Sequence, residues 1–303
     1  MTITGMPYVP YGSVGESLLE GCIDLHVHAS PEIVPGPVDD VSTAKLAVEM
    51  GMKALALKPF LWPTMGVART VSQFVEGIGL YGGIILNSNM GGICPWIVES
   101  AARSGAKVVW MPTWNALNDL KREGFSRTFM KYVPGIEAEK ERGLKATDAS
   151  GELTTAVKEI IRLCKEYDLV LCTGHLAPHD SRCIAVEAAE IGFKKVVFSH
   201  PLSRSVGASI EEMQDMADLG AYIEHTAILT FPMLQHVRVD EIREAVSQVG
   251  AEQTLLTSDV AFPYNPPGPI MMQMFLASLK ELGLSQDALR QMACENPAYL
   301  LGL

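Results

Sequence analysis

The stretch "IDLHVHASPE" (residues 23–32) places two histidines two positions apart inside an apolar run. Residues two apart on a strand share a face. This spacing predicts His26 and His28 side by side, with Asp24 below them on the same face and Leu25 and Val27 turned toward an apolar layer. Two imidazoles at a strand end make a poor core but supply nitrogen donors for a metal. The competing reading is a hydrogen-bonded histidine pair on an exposed strand face.

Working outward, "CIDLHVH" (22–28) is the first of eight apolar, β-branched runs. The others are "KALALKP" (53–59), "GGIILNSN" (82–89), "AKVVWMPT" (106–113), "DLVLCTGH" (168–175), "KKVVFSH" (194–200), "AYIEHT" (221–226) and "QTLLTSD" (253–259). Helix-like segments follow them, among them 39–51, 64–80, 94–104 and 153–167. Strands apolar on both faces, alternating with helices, are the mark of a parallel sheet under a helical coat. Eight such units predict an α/β fold, a (β/α)8 TIM barrel. The rival doubly wound sheet lacks its G-x-G-x-x-G fingerprint here. No linker or composition shift divides the 303 residues, so a single domain over 1–303 is expected. Residues 115–151, rich in Lys, Glu and Gly, interrupt the rhythm and read as a loop insertion after strand 4, at the barrel mouth.

Hydrophobic residues make up 48% of the chain, enough for a large core, and the formal net charge is −11. That balance argues against nonspecific binding to nucleic acid or to an anionic membrane. The six cysteines are scattered without a C-x-x-C pair, which disfavours a zinc ribbon or disulfide framework and fits reduced thiols in a cytoplasmic protein. The opening residues show no basic region followed by an apolar one, and no apolar run is long enough to span a bilayer.

The polar residues that interrupt the apolar runs fall at corresponding places. His26 and His28 end strand 1, Lys58 ends strand 2, His175 strand 5, His200 strand 6 and Asp259 strand 8. In a barrel these ends converge on one mouth, where active sites of the fold lie. Nitrogen and carboxylate donors without thiolates suit Zn²⁺ first, with Mn²⁺ or Fe²⁺ as alternatives. Glu224 and His225 end strand 7. Being adjacent they point opposite ways, so only one faces the axis, and either could orient a ligand or line the substrate pocket. His179 is a candidate for lining the mouth, while Asp180 beside it reads as a helix cap. Arg69, Arg204 and Thr64 lie just beyond strand ends, where they could grip a substrate carboxylate. Trp62, Trp110 and Trp114 fit a pocket wall or core packing equally, and His236 reads as a surface histidine.

In "DLHVH", "TGH", "FSH", "TSD" and the tail "ENPAYLLGL", in that order, the sequence resembles the amidohydrolase superfamily over almost its whole length. The resemblance implies a metal-dependent hydrolase on a TIM barrel, acting on an amide, cyclic amide or ester bond of a small molecule. By analogy His26, His28 and Asp259 hold one divalent ion, and His175 and His200 hold or face a second. Asp259 is then the base that takes the water proton, and His200 or the metal stabilises the developing oxyanion. The chain departs from the pattern at strand 4, where "VVWMPTW" offers neither the bridging lysine nor the glutamate of two-metal relatives. Lys58 then has three readings: a bridging carbamate, an ammonium that binds an anionic substrate group, or a salt-bridge partner. A decarboxylase, a phosphoesterase and a non-catalytic metal-binding barrel are the competing functions. The apolar "IMMQMFLASL" (270–279) suggests helix burial in the core or in a homo-oligomer contact.

Overall fold

The computed structural model describes residues 18–139, 142–231 and 237–303. His236 lies outside them. Eight parallel strands run in sequence order: β1 (Ile23–His28), β2 (Ala54–Lys58), β3 (Gly79–Ile85), β4 (Ala106–Trp110), β5 (Val170–Cys172), β6 (Val196–Phe198), β7 (Tyr222–Thr226) and β8 (Thr254–Thr257). Helices separate them, and the sheet curls into a nearly closed (β/α)8 barrel. Beyond the ladder, Asp259 N donates to His26 O at 2.7 Å and His28 N to Val260 O at 3.2 Å, which draws the end of β8 onto β1.

Strand alternation sets two apolar layers. Ala54, Ala56, Val108, Trp110, Val170, Cys172, Val197 and Leu255 fill the barrel interior, while Leu55, Leu57, Val109, Leu171, Val196 and Leu256 face the helices. Leu300 and Leu301 of the terminal helix Asn296–Leu301 plug the interior from the end opposite the mouth. Each fully buried leucine contributes roughly 1.5–3 kcal/mol. Helix Gly268–Glu281 packs Met271, Met272, Phe275, Leu276 and Leu279 on this same chain's core, so that face is not left for a partner. Among the described residues no helix is long and apolar enough to cross a membrane.

Two local expectations are corrected. The strand expected at 82–89 begins earlier: Gly79 to Gly82 pair with β2, and the helix expected over 64–80 ends at Val71. Asp24 does not share the face of the histidines. In β1, Asp24 pairs with Leu55 and Val27 with Leu57, three residues against two, so a one-residue bulge lies between them. Before the bulge Ile23 and Leu25 face the interior, and after it His26 does. Asp24 sits in the β1–β8 seam, where Oδ1 accepts from His26 N at 3.0 Å and Ser258 N at 3.2 Å. Burial pushes its carboxyl up to about 6.

Candidate metal centre

His26, buried completely, ends the inner face of β1. Its Nδ1 lies 2.9 Å from Glu224 Oε1, and Thr257 Oγ1 donates to the same oxygen at 3.0 Å. With a proton on Nδ1, that contact turns Nε2 toward the mouth, where Asp259 Oδ1 stands at 2.8 Å and Lys58 Nζ at 2.7 Å. His28 Nε2 is 3.2 Å from the same Asp259 oxygen, and the Phe60 ring stacks on its imidazole at 3.8 Å. His26, His28 and Asp259 thus offer three donor atoms within 4.8 Å of one another. Burial alone would push His26 down, but Asp259 and Glu224 outweigh it and carry it up to about 9. Burial would raise Asp259, yet His26 and Lys58 hold it well below the usual carboxylate range. Burial pushes Lys58 below an ordinary lysine and, with Lys58 beside it, His28 down to about 3.

A second pair faces this cluster. The His175 and His200 rings are 4.9 Å apart, and His200 is 5.8 Å from the His26 ring. Burial holds His175 well below, and His200 down to about 3, so both imidazoles are neutral. His175 Nδ1 lies 2.9 Å from Asp119 Oδ2, and His200 Nδ1 lies 3.3 Å from Ser203 Oγ. Gly174, at φ +60°, delivers His175 to this position; a Cβ there would lie 2.5 Å from Met111 O. His200 (φ +27°) and Asp259 (φ +52°) are two of the four described non-glycine residues with positive φ. Such backbone costs of order 1–3 kcal/mol and collects at functional sites.

Asp119 was not foreseen. It lies on helix Leu117–Arg122, in the segment between β4 and β5, and its carboxyl is completely buried. Burial raises it to about 8 even though Ser126 N donates to it. A lone acid in a polar stretch carries no local signal of such a role. Phe125 and Phe129, on the next helix of that segment, roof the site, with Phe125 6.2 Å from the His175 ring.

The structure brings His26, His28, Lys58, His175, His200 and Asp259 to one mouth, and places Glu224 rather than His225 on the inner side. His225 is buried on the opposite face, and neither ring nitrogen has a partner. Three expected pocket residues are not there. Arg69 is exposed on helix Met65–Val71, and Arg204 is exposed in the turn after β6, where its Nε donates to Arg122 O at 3.1 Å. His179 is exposed at the start of helix Pro178–Glu190, near Gly151 O. Thr64 is spent on Leu57 O and on the Gly83 backbone. Asp180 is not the cap, which is Ala177; it accepts from Thr147 Oγ1 inside the helix. Trp110 is interior core 6.1 Å from His26, Trp114 packs on Phe129, and Trp62 is exposed. At the end of β4 the pocket receives Thr113, so the strand offers no bridging carboxylate.

The family described as "Family of unknown function (DUF6282)" matches residues 21–224, from the start of β1 into β7. The chain belongs to this family. No curated protein matches it. Solved structures similar to the DUF6282 barrel include an amidohydrolase from Pseudomonas aeruginosa, at TM-score 0.65 and 12% identity over 94% of this chain and 96% of that one. A probable dipeptidase, PvdM, from the same organism aligns at TM-score 0.62 and 12% identity, over 93% and 94%. The organophosphorus hydrolase of Deinococcus radiodurans aligns at TM-score 0.58 and 14% identity, over 94% of each chain. At these identities what is shared is the barrel.

Proposed function

We propose that this DUF6282 protein is a metal-dependent hydrolase of a small molecule, cleaving an amide, cyclic amide or ester bond. The carrying observation is that His26, His28 and Asp259, from opposite ends of the chain, offer three donors within 4.8 Å beneath a pocket lined also by His175 and His200. The donor set fits a divalent cation: two imidazoles and a carboxylate converge, and Glu224 fixes one tautomer from behind. Zinc heads the candidates, ahead of manganese and iron, because the donors are nitrogen and carboxylate oxygen. A cation held there would supply a Lewis acid and lower the pKa of a water molecule.

The chain's own groups do the remainder. Asp259, at the pocket floor, accepts the water proton and returns it to the leaving group. His200, held through Ser203, faces the same space and stabilises negative charge developing on the substrate oxygen. His175 and His200 hold a second ion or face the first. Lys58 lies 2.7 Å from the nitrogen that His26 would give to the metal, so a plain ammonium there opposes a cation. A carbamate formed on Lys58 from carbon dioxide, with loss of a proton, would reverse that sign and add the anionic donor that β4 lacks. Related solved structures named as an amidohydrolase and an organophosphorus hydrolase lend this reading support through the fold. A pocket that opens on the cluster favours catalysis over a closed structural metal site.

The test is elemental analysis of the purified protein together with a hydrolysis screen of lactams, N-acyl amino acids, lactones and phosphoesters. One or two equivalents of metal, activity lost on chelation and restored by zinc, and both lost in His26→Ala are expected. Unchanged metal content in His26→Ala ends the proposal. The intact mass, measured under native conditions, reports whether Lys58 carries carbon dioxide.

A further inference from the structure

The mouth pocket has two unlike walls. One holds the histidines, Lys58 and Asp259 described above. The other is apolar and comes from three separate parts of the chain: Phe125 from the segment after β4, Ile228 and Leu229 from the turn after β7, and Ala261 and Phe262 from the segment after β8. The Phe125 ring centroid lies 6.1 Å from Phe262, and Phe60 packs behind at 5.9 Å, so two phenyl groups line the wall beside the reacting centre.

Each hydroxyl that lines the pocket already has a protein partner. Thr113 Oγ1 accepts from Asn87 Nδ2, Ser205 Oγ accepts from Phe125 N, and Ser203 Oγ serves His200 and Val206 N. Among the described lining residues Lys58 is the one lysine or arginine, and it stands against His26 on the far wall. Arg69 does not line the pocket, and Arg204, between Ser203 and Ser205, turns its Nε onto Arg122 O at 3.1 Å. A carboxylate or phosphate on the distal part of a ligand would therefore lose its hydration against phenyl and branched aliphatic carbons that offer no partner in return. An uncharged aromatic or branched apolar group would instead bury its surface there and stack on Phe125.

We infer that the pocket selects uncharged substrates whose non-reacting part is an aromatic or branched apolar group, with Phe125 as the residue that sets this preference. The inference rests on the hydrolase reading for the bond that is cleaved, and on the wall alone for the group that is held. Simple N-acyl amino acids and phosphomonoesters, which carry a charge, are then poor substrates.

Binding, read separately from turnover, tests this. The probes are phenylacetamide, 4-carboxyphenylacetamide and acetamide, titrated into zinc-loaded protein and followed by ligand-observed NMR. Phenylacetamide is expected to bind at least about tenfold more tightly than either of the others. Phe125→Ala should erase its advantage over acetamide, and Phe125→Leu should retain most of it, with melting curves confirming both folds. If Phe125→Ala does not fold, the wild-type comparison of phenylacetamide with its carboxylate decides alone. Equal or tighter binding of the carboxylate, or no detectable binding of phenylacetamide, overturns the inference. A preference of the expected kind in a protein that hydrolyses nothing would sink the hydrolase reading and leave the wall's selectivity standing. Hydrolysis of charged substrates in preference to neutral ones would do the reverse.

Discussion

The two halves of the mouth are built from the same side chain and held in different ways. The His26–His28–Asp259 cluster concentrates its charge around His26: Asp259 and Lys58 crowd one nitrogen of that ring while Glu224 holds the other. The His175–His200 pair is uncharged, kept neutral by burial and fixed by one acid and one hydroxyl, Asp119 and Ser203. The first half is made by the barrel itself, from β1, β2, β7 and β8. The second depends on a carboxylate delivered by the segment after β4. A cation therefore gains most of its electrostatic attraction in the first half, and the second half tunes what that centre does.

The largest effect that would break this comparison comes from Asp259→Asn. It removes the carboxylate from the cluster and leaves the shape, so metal content should fall and kcat/KM should drop by about 10³-fold or more, measured on the best substrate from the screen. If His175→Asn were the more damaging change to total metal content, the ranking of the two halves would be inverted.

Asp119→Asn sharpens the contrast. It keeps an oxygen in reach of His175 but replaces the carboxyl that fixes the imidazole from behind. A partner of this kind typically costs 10–100-fold in metal affinity or activity when mutated. The expected result is a weakened second equivalent, or a 10–100-fold lower kcat, with the first equivalent bound as in wild type. Competition with a fluorescent chelator resolves the two steps. Glu224→Gln should do the opposite, weakening the first equivalent by a similar factor and sparing the second.

Much of this arrangement is legible in the sequence, because strand ends of a parallel barrel share one destination. Eight apolar runs announced the barrel, and the polar residue closing a run marked a mouth position at His26, His28, Lys58, His175, His200 and Asp259. Two kinds of feature were not legible. The bulge between Asp24 and Val27 moves one residue across the strand, and a one-residue slip leaves an apolar run looking the same. Asp119 and Phe125 act through the tertiary course of the segment after β4, and no local period encodes where such a segment returns. Arg69 failed for a related reason: closeness to a strand end in sequence does not fix direction once a helix begins.

The smallest expected effect concerns the adjacent pair on β7, which repeats the comparison within two residues. Glu224 points inward and is held by His26 and Thr257, while His225 is completely buried on the other face with both ring nitrogens unpartnered. Leaving a buried polar group unpaired costs about 1–3 kcal/mol, so His225→Leu should stabilise the fold at pH 7 by about 1 kcal/mol after some loss in packing. Burial also lowers His225 from 6.5 to about 4. Between those values the unfolded chain takes up a proton that the folded protein refuses, so wild-type stability falls as the pH drops through this window. Leucine cannot titrate, so the gain should grow by about 2 kcal/mol on going from pH 7 to pH 5. Urea denaturation of the metal-free proteins at the two pH values reads the difference directly. An equal gain at both would mean that His225 finds a partner for its proton, most simply a buried water, and that the outer face of β7 is as well satisfied as the inner one.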